Sequence, residues 1–316
     1  MLKLENLSKI YKVGTFGGKE LHAVEDVSFQ VGEGEVVSLI GESGSGKSTI
    51  GKMILRLITN SSGKITFNDS DVSGLKQEAL KEYYRNVQGV FQDPFSSYNP
   101  IFKADRVFKV IKDEFFPQLP AAEWNEKVEQ ALKAVGLNPE HVLNKFPHQL
   151  SGGQLQRFLI ARALLLDIKF LVADEIISML DASTRMDVLN LLAELKSRGL
   201  SILFITHDLS LGYYLSDRSI ILYRGKVVEM GSTEKIYRSP RHPYTKMLMN
   251  SVPRIDQKWG NSELDLMAKH SELMSGCVYA TRCGQVGKQC ALVPVPIEVE
   301  NDHFVACWRG AQQIIS

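Results

Sequence analysis

A nine-residue run, Gly41-Glu-Ser-Gly-Ser-Gly46-Lys47-Ser48-Thr49, constrains this chain more than any other feature. It follows the nearly all-apolar stretch Val36 to Ile40, which suits a strand covered on both faces. It precedes Ile-Gly-Lys-Met-Ile-Leu-Arg-Leu-Ile, whose apolar residues recur at helical spacing. Strand, glycine loop and helix in that order is the context a phosphate-binding loop needs. Glycines let successive backbone N–H groups curl inward towards phosphate oxygens, and the helix adds the positive end of its dipole. Lys47 can reach β- and γ-phosphates, and Ser48 can offer its hydroxyl to Mg²⁺. The candidate nucleotide-binding set is therefore Gly41, Ser43, Gly44, Ser45, Gly46, Lys47, Ser48 and Thr49.

A second piece of the same chemistry is Phe-Leu-Val-Ala-Asp174-Glu175. Open α/β sheets bind ligands at the carboxyl ends of their strands, where this apolar run delivers two acids. Asp174 is placed to enter a Mg²⁺ shell and Glu175 to polarise an attacking water. Alone, such a pair can be a solvated loop; with the phosphate loop upstream, the chemical reading is preferred.

Strand patterning at 169–174, 200–206 and 219–230 alternates with helical patterning and predicts an α/β core with a mainly parallel sheet. About residues 97–160 read as a helical insertion without a convincing strand. From about residue 241 the chain is Pro-punctuated, and the expected division is a nucleotide-binding domain over 1–250 and an appended lobe over 251–316. The 316 residues include 44% hydrophobic and 23% charged side chains, values that exclude a disordered chain. A net charge of +1 gives no footprint for wholesale nucleic-acid binding. No stretch is apolar enough to span a bilayer or act as a secretory signal, so a soluble, cytoplasmic protein is expected.

Leu150-Ser151-Gly152-Gly153-Gln154, extended through Arg157, resembles the signature of ABC-type ATPases. The remaining motifs of that family stand in its order. Tyr11 occupies the place of the aromatic that stacks on adenine, with Phe16 as an alternative. Gln92 in Val-Phe-Gln-Asp-Pro occupies that of the glutamine that meets Mg²⁺ and water. Leu180-Asp181 resemble the D-loop, and His207 in Ile-Thr-His-Asp resembles the switch histidine at the γ-phosphate. The resemblance implies an α/β P-loop NTPase (RecA-like) core with an antiparallel β subdomain, a helical signature subdomain and a small Cys-rich C-terminal lobe. It also implies two cassettes that sandwich ATP head to tail, with Ser151, Gly152, Gly153 and Gln154 capping nucleotide held by the partner. The catalytic set is then Lys47, Gln92, Glu175 and His207, and Asp181 joins the nucleotide contacts. One departure stands out: the family usually reads Asp-Glu-Pro-Thr-Ser, whereas Ile176-Ile177 replace Pro-Thr here. Loss of proline frees the backbone beside the proposed base, so slower hydrolysis is expected.

The segments 91–100 and 239–249 resemble the oligopeptide/dipeptide importer branch, as does the cysteine-bearing carboxyl terminus. Cys277, Cys283, Cys290 and Cys307 are all the cysteines of the chain. Crowded thiols in a reducing compartment favour metal ligation, and the resemblance implies a structural [4Fe–4S] cluster, with zinc or free thiols as alternatives. The implied partners are a second ATPase subunit, expected to be a paralogue, and two transmembrane permease subunits. An extracytoplasmic binding protein is linked indirectly, and no nucleic acid is expected. The chain would sit at the cytoplasmic face of the membrane, with peptides as cargo and sugars or metal chelates as alternatives. A soluble ABC ATPase of translation or DNA repair is disfavoured, because the phosphate loop occurs once and no heptad run is visible.

Overall fold

The computed structural model describes residues 1–14, 18–251 and 276–312. Phe16 and the region just beyond the expected boundary at residue 250 lie outside the described residues. In chain order the strands are β1 (Leu2–Val13), β2 (Lys19–Val31), β3 (Val36–Ile40), β4 (Ser62–Phe67), β5 (Ser70–Asp71), β6 (Val87–Val90), β7 (Phe170–Asp174), β8 (Ser201–Thr206), β9 (Arg218–Tyr223), β10 (Lys226–Ser232), β11 (Ile297–Glu300) and β12 (His303–Val305). The helices are α1 (Lys47–Ile54), α2 (Gln77–Asn86), α3 (Arg106–Phe115), α4 (Ala121–Ala134), α5 (Pro139–Val142), α6 (Gly152–Leu164), α7 (Ala182–Ser197), α8 (Leu209–Leu215), α9 (Thr233–Arg238), α10 (Pro243–Asn250) and α11 (Trp308–Gln312).

Two sheets organise the molecule. The smaller is antiparallel, ordered β2-β1-β4-β5. The larger is ordered β11-β12-β10-β9-β3-β8-β7-β6. Its β9-β3-β8-β7-β6 portion is parallel, and every residue of β3, β7 and β8 is buried, as expected for strands covered on both faces. β10, β12 and β11 continue it in antiparallel pairing. Patterning over 219–230 resolves into a hairpin, because Arg224 and Gly225 both take positive φ and reverse the chain.

Among the described residues, no strand interrupts the chain between β6 and β7. α3 to α6 build their own apolar layer there: Phe108 stacks on Phe158 with ring centroids 4.5 Å apart, beside buried Trp124, Val128 and Leu132. That layer is continuous with the core beneath β7 and α7 through Leu171, Ala173, Val188 and Leu192.

The carboxyl-terminal strands join the sheet around a buried acid. Glu229 on β10 is fully buried, and its carboxylate accepts from the Arg241 and His242 N–H groups at 2.8 and 2.9 Å. It also hydrogen-bonds His303 Nε2 on β12 at 2.8 Å. Glu229→Ala would leave three buried polar groups without that partner. We expect it to lower unfolding free energy by about 3 kcal/mol, measurable by chemical denaturation, with a smaller loss for Glu229→Gln.

Candidate nucleotide site

β3 delivers the chain to Gly41 at the carboxyl edge of the parallel sheet, and α1 begins at Lys47. Gly46 caps α1 with φ +103°, a conformation that favours glycine, and an added Cβ would lie 2.4 Å from the Ala23 carbonyl oxygen. Lys47 is buried, and its ammonium donates to the Gly41 and Glu42 carbonyls at 2.7 and 2.9 Å. The lysine thus lies folded across its own loop. Burial pushes its pKa below the ordinary lysine value, and Glu175, Asp174 and Glu42 act in the opposite direction.

The two halves of the predicted chemistry meet directly. The Ser48 hydroxyl donates to Asp174 Oδ1 at 3.1 Å, across 126 residues of sequence. Burial raises the Asp174 pKa, while the Ser48 hydrogen bond works to lower it. Glu175 takes φ +50° and anchors its N–H on the Ile205 carbonyl at 2.9 Å. Its Oε2 lies 3.3 Å from His207 Nδ1, at the end of β8. Ser48, Glu175 and His207 face one cleft of about 790 Å³, lined also by the other residues of 41–49, Gln92 and Tyr11, while Asp174 lies behind that lining, bonded to Ser48. Leu21, Ala23 and Leu248 also line it and were not anticipated. Leu248 lies within the 239–249 segment, where resemblance rather than chemistry was the only signal.

The signature residues do not line this cleft. Ser151 caps α6 by accepting from the Gln154 N–H at 3.2 Å, and Gln154 Oε1 accepts from the Ser151 N–H at 2.9 Å. Gly152 and Gly153 form the first turn. Asp181 caps α7, accepting from Ser183 Oγ at 2.6 Å and from the Thr184 hydroxyl and N–H at 2.7 and 3.1 Å; these bonds hold its carboxyl below the usual range. Ile176 and Ile177 are both buried in the principal core. Their turn is closed by the Ser178 N–H and hydroxyl, which donate to the Glu175 carbonyl at 3.1 and 2.9 Å. Arg185 donates to the Leu180 and Ser178 carbonyls at 2.7 and 3.2 Å.

The iron–sulfur expectation requires correction. Among the described residues, no group of side chains is arranged to hold a metal ion. Cys277, Cys283, Cys290 and Cys307 are free and border a void of about 10 Å³, room for roughly one water rather than a four-iron cluster. Burial raises the pKa of the Cys277 and Cys283 thiols. The donor set as arranged therefore does not fit a cluster. The thiols of Cys283 and Cys307 accept from the N–H groups of Gln285 and Gly310, both at 3.4 Å.

Comparison with known proteins places this geometry in context. Residues 24–178 match the family described as ABC transporter, and residues 228–290 match the oligopeptide/dipeptide transporter C-terminal region. A putative peptide import ATP-binding protein of Brucella ovis is 40% identical over 98% of both chains. The oligopeptide transport ATP-binding protein AppF of Bacillus subtilis is 40% identical over 97% of this chain and 96% of its own. Among solved structures, the dimeric post-hydrolysis ATP-binding cassette MJ0796, bound to ADP and Pi, is 30% identical with a TM-score of 0.66. That match covers 74% of this chain and 99% of the cassette. The nucleotide cleft, the signature helix and these matches establish that the chain belongs to the ABC transporter ATPases, in their oligopeptide/dipeptide branch.

Proposed function

We propose that this chain is the ATP-hydrolysing subunit of a membrane importer for oligopeptides or dipeptides. The observation that carries the reading is the single cleft onto which the phosphate loop, Gln92, Glu175, His207 and Tyr11 open. The loop N–H groups and the start of α1 hold the phosphates, with Tyr11 against adenine. Lys47 exchanges the Gly41 and Glu42 carbonyls for phosphate oxygens. Ser48 Oγ and Asp174 Oδ1 are hard oxygen donors already beside one another, the donor type that suits Mg²⁺. With Gln92 they would hold that ion, which supplies charge neutralisation at the phosphates when bound. Glu175 polarises the attacking water and accepts its proton, while His207 orients Glu175 and approaches the γ-phosphate. Ser151, Gly152, Gly153, Gln154 and Asp181 act on nucleotide in a second cassette, for which a paralogue is the proposed partner.

Coupling to two permease subunits is assigned to the surface that follows Gln92 in sequence, where Phe95, Ile101 and Phe102 are exposed despite their apolar character. No helix among the described residues is long and apolar enough to cross a membrane, consistent with a peripheral subunit at the cytoplasmic face. The names of the relatives, peptide import and oligopeptide transport, support peptides over sugars or metal chelates as cargo. An extracytoplasmic binding protein would deliver that cargo without touching this chain.

Two measurements on the reconstituted transporter test these roles. Glu175→Gln is expected to lower phosphate release by about 100-fold or more while ATP binding persists; unchanged release would place water activation elsewhere. Replacing Ile176-Ile177 by Pro-Thr is expected to raise turnover by stiffening the segment after Glu175. Unchanged turnover would show that Ser178 and Arg185 already hold the turn sufficiently.

A further inference from the structure

Glu42 brings a carboxylate to the mouth of a loop built to receive polyphosphate, where an unopposed negative charge would repel the ligand. Its neutralising partner lies 240 residues away, beyond the ATPase core. The 3₁₀ turn Ala280–Arg282 presents the Arg282 guanidinium to Glu42 as a bidentate fork, Nη1 to Oε2 at 2.8 Å and Nη2 to Oε1 at 3.1 Å. The guanidinium also lies 5.8 Å from the ring centroids of Tyr223 and Tyr279, within cation–π range. Tyr279 packs edge-on against Tyr223 and beside buried Tyr244, so the arginine is held in an aromatic setting.

The same residue is fixed at two further points. The Glu42 N–H donates to the Tyr244 hydroxyl at 3.0 Å, and its carbonyl accepts from Lys47 Nζ at 2.9 Å. The Ser45 N–H also donates to that carbonyl at 3.2 Å. Glu42 is thus the point where the appended region, the phosphate loop and its lysine meet.

We propose that Arg282 is a positioning residue of the nucleotide site: through Glu42 it fixes the shape of the phosphate loop and cancels the loop's carboxylate charge. ATP affinity then depends on a side chain outside the cassette core. This inference rests on the ATP-binding reading of the cleft, but it needs neither transport nor a partner subunit for its test. Half-exposure of Glu42 means that the charge effect is screened by salt, which gives the role a second signature.

The test is titration of the purified full-length chain with MgATP by calorimetry, at low and high salt. Arg282→Ala is expected to weaken binding by about tenfold at low salt, with a smaller deficit at high salt, and Arg282→Lys to recover part of the loss. The double substitution Arg282→Ala, Glu42→Gln is expected to bind more tightly than Arg282→Ala alone, because the uncompensated charge is gone. A purely structural role would give the opposite result, with the double variant no better than the single and no salt dependence. Unchanged affinity in Arg282→Ala would likewise overturn the proposal. Failure of the unaltered chain to bind MgATP would instead strike the underlying nucleotide reading.

Discussion

The close approach of backbone to backbone around the phosphate loop sets the geometry on which the rest of the site depends. A Cβ on Gly41 would lie 2.1 Å from the Leu222 carbonyl oxygen, and one on Gly46 would lie 2.4 Å from that of Ala23. The loop is therefore wedged between β9 of the parallel sheet and β2 of the antiparallel one. The β9–β10 turn latches the same point, since the Gly225 N–H donates to the Ser45 carbonyl and its own carbonyl accepts from the Glu25 N–H, both at 2.9 Å. Two sheets with no strand in common are brought into register by three glycines. A side chain at Gly41 or Gly46 would have to move backbone, not a flexible neighbour, which is why these positions carry more constraint than glycine content alone suggests.

Features with a local rule were legible in the sequence. The loop of residues 41–49 has a phosphate-binding pattern, and β3, β7 and β8 announce themselves as apolar runs between punctuated boundaries. Asp174 and Glu175 follow such a run, so their arrival beside Ser48 could be anticipated from the strand–loop rule. What could not be read were contacts that exist only after folding. β4 and β6 are short and carry glycine, with too little alternation to stand out, and their pairing with β1 and β7 is what defines them. Nothing in the pattern of residues 219–230 marks Glu229, which is fully buried and bonded to Arg241, His242 and His303. The cysteine crowding pointed to metal because sequence spacing says nothing of cavity size. Among the described residues no side chains are arranged to hold a metal ion, and the void between the thiols is too small for a cluster.

The geometry around the signature explains why one chain carries only part of a working site under the proposed mechanism. Ser151 and Gln154 spend their side chains on each other's backbone N–H groups, which makes the start of α6 rigid. A Cβ on Gly153 would meet the Thr184 methyl at 2.6 Å, so the signature turn is seated against the first turn of α7. Asp181 caps that same turn. The signature and the Leu180-Asp181 segment are thus one packed unit, while the segment itself continues from Glu175 through the buried isoleucines. Contacts thus run from Gly153 to Thr184 and through Asp181 into the loop that begins at Glu175.

The carboxyl-terminal elements from α10 onward are tied to that machinery at two depths. In the core, β12 extends the central sheet and places His303 on Glu229, whose other oxygen accepts from the N–H at the start of α10. At the cleft, α10 supplies buried Tyr244 to the Glu42 N–H and Leu248 to the wall, while Arg282 meets the Glu42 carboxylate. Burial pushes the His242 pKa down to about 4, so the imidazole between these two levels remains neutral at physiological pH, and its Nδ1 accepts from the Tyr244 N–H at 3.1 Å. Protonation there would remove that acceptor from the cap of the helix that carries Tyr244. A neutral histidine is therefore a structural requirement of the link, and burial supplies it against the opposing pull of the Glu229 carboxylate.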